Sequence, residues 1–146
     1  MLKLGSVKPV ADSQTLEALI ANRYEVMAKY ARELRRACGA ELAHLKAQGL
    51  ENTAKWSELH LARRWLHRDA DKIPHSVQAQ VARAAAQSPA LAKLVAMREE
   101  LRALWTRTNV SAEQLVHDLQ SWCRKAEDSG IAALADFSRK LRAAHA

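Results

Sequence analysis

The stretch SAEQLVHDLQSWCRKAEDSGIAALADFSRKL, residues 111–141, decides the fold class. Ser111 followed three positions later by Gln114 is a capping box, the local signature of a helix start. Leu115, Leu119, Trp122, Cys123 and Ala126 then recur at helical spacing and form a stripe expected to be buried. Ser129-Gly130 stops that helix, because glycine can take the left-handed conformation that ends one. Ile131, Leu134, Phe137 and Leu141 restart the same period. Two helices joined at one glycine predict a tight αα-hairpin at the C-terminal end.

Working outward, the same period continues upstream. Ser88-Pro89 opens a helix over about 89–106, with Leu91, Leu94, Val95, Leu101 and Trp105 as its stripe and Arg98 set within it. Pro74 suits the first turn of an Ala-rich helix over about 74–87, with Val77, Val81 and Ala84 on one face. Gly49 and Asn52 mark a turn, and Asn52 or Thr53 caps a helix over about 53–69 with Trp56, Leu59, Ala62 and Leu66 apolar. Leu16, Ile20, Met27, Tyr30, Leu34, Cys38, Leu42 and Leu45 predict one long helix, roughly 13–47, about 50 Å in length. Gly39 inside it costs about 1 kcal/mol and marks a candidate kink. Residues 1–11 read as a linker, and 12–146 as a single helical domain. With no sustained period-two alternation, the expected fold is all-α: a bundle of about six helices, one of them long.

Composition agrees. Of 146 residues, 49% are hydrophobic and only 4 are Gly and 3 Pro, which favours helices over turns. Cys38 and Cys123 have no spacing motif, so they read as buried free thiols in a reducing compartment. No uncharged run exceeds the ten residues from Ile73 to Ala82, and a membrane helix needs about 20. The start, MLKLGSVKPV, lacks the apolar core of a signal peptide. The expected location is cytoplasmic.

Charge and histidines raise the functional question. The net charge is +7, from 23 basic and 16 acidic residues, which suits an acidic partner such as nucleic acid, anionic lipid or an acidic protein. His60 and His67 are seven apart on one helix, a separation of about 10 Å, too far for both to hold one ion. His44, His75, His117 and His145 have no histidine within four residues, so no metal site is expected. Arg63, Arg64 and Arg68 beside Trp56 and Trp65 are the candidate basic contact surface, able to meet bases or lipid headgroups. For the tryptophans themselves the expected place is the core, with the arginines solvated and their stems lying across them. Arg32, Arg35 and Arg36 with Lys29 form a second basic cluster. No nucleophile motif, glycine-rich phosphate loop or carboxylate pair on one face is present, so no catalytic residue is assigned.

Residues 4–38, with the KPVAD linker and the helix start LIANRYEVMAKYA, resemble the segment after the catalytic region of bacterial membrane fatty acid desaturases. Residues 101–142 resemble the end of those same chains, and also the C-terminal helices of a family of insertion-sequence transposases. The desaturase resemblance implies a non-catalytic, cytoplasmic accessory domain for assembly, regulation or partner contact in lipid metabolism. Its partners would be the parent catalytic domain, an anionic membrane surface, an electron donor, an acyl carrier or a second copy. Di-iron is implied only for the parent domain, whose histidine boxes are absent here, so no cofactor is expected in this chain. The transposase resemblance implies a helical nucleic-acid-associated module. The carboxylate triad and RNase H-like sheet of a DDE transposase are not read in the sequence, and nucleic acid is the less favoured partner.

Overall fold

The computed structural model describes residues 18, 21–107 and 110–143. Among them are six α-helices and no strand: α1 Arg23–Ala47, α2 Ala54–Trp65, α3 His75–Ala86, α4 Pro89–Thr106, α5 Ala112–Glu127 and α6 Ala132–Ala143, with a single 3-10 turn at Ala70–Lys72. The all-α expectation holds. The expected linker at 1–11 and the expected helix start at 13 lie outside the described residues. The chain divides into two compact units, one of residues 27–99 and one of 1–26 with 100–146.

In the 27–99 unit, α1 runs unbroken through Gly39, so no kink forms there. A Cβ at Gly39 would lie 3.8 Å from the Arg63 guanidinium carbon, an ordinary contact. The helix ends in a Schellman motif: Gly49 takes φ 73°, Leu50 N–H donates to Leu45 O at 2.9 Å and Gly49 N–H to Lys46 O at 3.0 Å. Thr53 caps α2 by accepting from Trp56 N–H at 3.2 Å, which stabilises the helix start by about 1 kcal/mol. That helix stops at Trp65, four residues short of the expected 69, because the chain turns at residues 66–69 and enters the 3-10 turn.

The core of this unit holds Tyr30, Leu34, Leu59, Val81, Leu91 and Met97 among others. Tyr30 is fully buried, and its hydroxyl donates to Leu94 O at 2.5 Å. Trp56 and Trp65 are only half-buried, against the core reading of α2. On α4 Met97 is buried where Val95 was expected.

In the other unit, α5 and α6 pack as the expected hairpin. Ser111 accepts from Gln114 N–H at 3.0 Å, but the Gln114 amide donates to Asp118 at 2.8 Å, so only half of the capping box forms. Gly130 takes φ 78°, as the left-handed stop requires. Val116, Leu119, Trp122, Cys123 and Ala126 are buried, with Val116 replacing the expected Leu115. The Trp122 and Phe137 rings meet edge to face at 6.0 Å. Cys38 and Cys123 are both buried free thiols, and burial pushes the Cys38 thiol up to about 11.

Candidate nucleic-acid interface

Helix α2 contains one carboxylate, Glu58, and that group is engaged by α3: Arg83 Nε donates to it at 2.8 Å and Gln87 Nε2 at 3.5 Å. The remaining ionised side chains of α2, Lys55, Arg63 and Arg64, are exposed. Arg64 and Arg68 both lie over the Trp65 ring, 5.5 and 5.4 Å from its centre. A guanidinium held on a ring face gives up less freedom when it meets a phosphate. Arg63 leans the other way, toward Gly39 of α1. The three arginines expected as a contact surface therefore flank the end of α2 on two sides. None of them pairs with a carboxylate among the described residues.

The turn that carries Arg68 is held from beneath by Arg98 of α4, whose side chain is only 7% exposed. Its Nη2 donates to His67 O at 3.0 Å and Asp69 Oδ1 at 3.1 Å, and its Nη1 to Glu99 Oε2 at 2.9 Å. Arg98 Nε and His67 Nδ1 are buried without a partner among the described residues. Burial, followed by the charges of Arg35, Arg68 and Arg98, holds the His67 imidazole below its ordinary pKa, so it is neutral at pH 7. The positive charge of this turn thus comes from arginine. Sequence reasoning placed Arg98 in the α4 stripe but missed its part in pinning the turn. The available signal was an arginine at a core position followed directly by an acid.

Charge is unevenly shared between the units. Residues 27–99 hold 13 Lys or Arg against 7 Asp or Glu, a net of +6, while the rest of the chain holds 10 against 9, a net of +1. His60 meets the Trp56 ring edge to face at 4.8 Å, while His67 sits in the turn and His75 begins α3. No group of three or more His, Cys, Asp or Glu side chains converges as a metal site among the described residues.

The unit with α5 and α6 has its own polar network. Buried Ser138 donates to Glu127 at 2.7 Å and to Cys123 O at 3.2 Å, and Arg142 Nε donates to Glu127 at 2.6 Å. Burial pulls the Glu127 carboxyl up, but the bonds from Ser138 and Arg142 and the charges of Arg142 and Arg139 outweigh it. The group is held below the usual range. An open cleft in the same unit is lined by Glu100, Arg107, Asp118, Trp122 and Lys125, among others. Its charges are paired, Lys125 with Glu100 at 2.8 Å and Arg107 with Asp118.

With basic surface and polar ties in place, the comparison with known proteins decides between the two resemblances. A family model described as transposase, of the ISL3 DDE type, matches residues 10–146. The chain belongs to the ISL3-type DDE transposase family. No curated protein and no solved structure matched it. The fatty acid desaturase reading, with its lipid-metabolism role and its electron-donor and acyl-carrier partners, is thereby corrected. That reading rested on a short linker and amphipathic helix patterns at the two ends, which unrelated helical proteins share. The transposase match runs through the middle as well. No helix among the described residues is long and apolar enough to cross a membrane.

Proposed function

We propose that this chain is a helical, nucleic-acid-associated portion of an ISL3-type transposase, with the end of α2 as a contact for the DNA backbone. The observation that carries the proposal is the group Arg63, Arg64 and Arg68. These side chains are exposed and free of carboxylate partners among the described residues, and they sit in the unit with a net charge of +6. Arginine suits phosphate because its planar fork offers paired donors and stays charged at any working pH. Backbone contacts of this kind supply affinity and orientation without reading sequence. Family membership supplies the polymer; the arginines supply the contact. No cofactor and no catalytic residue is assigned to these helices.

The test is fluorescence anisotropy of a labelled duplex across a salt series. Binding should weaken steeply with salt, and Arg63→Ala, Arg64→Ala and Arg68→Ala should each lower the log–log salt slope by about 1. Reversal at Arg63→Glu with Arg64→Glu should weaken binding on all duplex sequences alike. Unchanged duplex affinity in that double variant would overturn the proposal. So would tighter binding to anionic vesicles than to duplex in the same buffer.

A further inference from the structure

Next to the arginines, α2 carries a feature that backbone contact does not use. Asn52, Trp56, Ser57, His60, Leu61 and Arg64 line an open cleft on its surface. Trp56, His60 and Arg64 follow at four-residue steps, so they stack along one face with about 6 Å between successive positions. Trp56 is half-buried and His60 exposed, with the two rings edge to face at 4.8 Å. This puts a half-buried aromatic ring at one end of the cleft and, at the other, a guanidinium that rests on the Trp65 ring and has no carboxylate partner among the described residues. The only carboxylate of α2, Glu58, is tied to Arg83 of α3 and puts no negative charge into this row.

We infer that this cleft takes an unpaired nucleobase, stacked on Trp56 with His60 against its edge, and the adjoining phosphate on Arg64. The inference rests on the nucleic-acid reading above and narrows it to single-stranded or splayed DNA at this face. A duplex keeps its bases stacked inside and offers a side chain on its outside only phosphate, sugar and groove edges. A flat ring open to solvent gains nothing from those, whereas any unstacked base can lie on it. The site would be tolerant of base identity, since every base has a π-face.

The experiment uses the full chain, an oligothymidine of about 15 nucleotides and a duplex of equal length, with anisotropy for both and tryptophan fluorescence for the single strand. Oligothymidine should quench the fluorescence. Trp56→Leu should weaken its binding roughly tenfold or more, leave duplex affinity within about twofold, and lose part of the quenching. Trp56→Phe should retain most of the single-strand affinity, and His60→Ala, at an exposed position, should weaken it without loss of helix content. Equal loss of single-strand and duplex binding in Trp56→Leu would overturn the inference. So would single-strand affinity indifferent to both Trp56→Leu and His60→Ala. In either case duplex binding that still depends on Arg63 and Arg64 would leave the wider proposal standing. Failure to bind either form of DNA would overturn both.

Discussion

Replacing Arg98 tests whether the turn after α2 is held by a buried guanidinium or merely by packing. The side chain is 7% exposed and makes three hydrogen bonds, one to the His67 carbonyl and one each to Asp69 and Glu99. Breaking a buried ion pair by removing one partner commonly costs about 3–5 kcal/mol, because a charge is left stranded. Here that figure must be discounted, since the Asp69 and Glu99 side chains are 42% and 44% exposed and can be rehydrated. What remains for Arg98→Ala is the orphaned His67 carbonyl, about 1–3 kcal/mol, with a cavity cost added, so about 2–4 kcal/mol in all. Arg98→Met restores most of the volume and removes the unpartnered Nε, so it should cost about 1–2 kcal/mol, chiefly for the lost donor. Urea unfolding followed by circular dichroism gives both values. Amide exchange at 66–69 should quicken in both variants, because those residues lose their tie to α4. A Met variant as stable as the parent, with exchange unchanged, would show that the guanidinium does not hold the turn.

Two further predictions concern the hairpin and pH. Trp122→Ala should cost about 3–5 kcal/mol, since Trp122 is 4% exposed and meets Phe137 across the hairpin; an unmoved urea midpoint would contradict its placement. Stability should fall in two stages on acidification. His67 is held below its ordinary 6.5, so its contribution is complete above pH 6.5 and is lost as the pH drops below that. Glu127 is held below 4.5, so its contribution is complete above that pH and is lost as the pH falls through its lower native value. His67→Asn should flatten the first stage and Ser138→Ala shrink the second, and a protein more stable at pH 5.5 than at pH 7 would refute the assignment of His67.

The elements that were legible in the sequence are those fixed by local chemistry. Ser111, Thr53 and Gly130 cap or stop helices through groups within three residues of themselves, so their pattern is complete in the chain. Burial was less legible, because the packing partner and not the period decides which edge of a stripe is covered. Hence Val116 is buried and Leu115 only partly so, and Ser138 is buried because Glu127 reaches it from the other arm of the hairpin. The candidate site shows the same division. Arg63, Arg64 and Arg68 stand out as a run, but their arrangement about Trp65 and Gly39 depends on the side-chain directions that α1 and the following turn impose. The desaturase resemblance fails for a related reason, since amphipathic helices repeat the same few residue types in unrelated proteins, whereas the transposase resemblance of residues 101–142 agrees with the family match.

A net charge says little about a surface until the acids are located. In the 27–99 unit, Glu58 is drawn to Arg83 and Asp69 and Glu99 to Arg98, while Glu33 lies 3.7 Å from Arg36. Two of these four carboxylates, Glu58 and Asp69, tie different elements together, and none of the four pairs with the arginines at the end of α2. Four of the seven acids of this unit are thus paired with arginines other than Arg63, Arg64 and Arg68, while Glu51 and Asp71 stay exposed. Arg63, Arg64 and Arg68 therefore keep unpaired charge in a unit of 13 cations and 7 anions. Removing an inter-element tie should then act on DNA binding as well as on stability. In Glu58→Gln one negative charge is removed while Arg83 loses its partner. Duplex affinity by fluorescence anisotropy should therefore rise even as urea unfolding shows a weaker α2–α3 tie, and a fall in affinity with the fold intact would refute the argument.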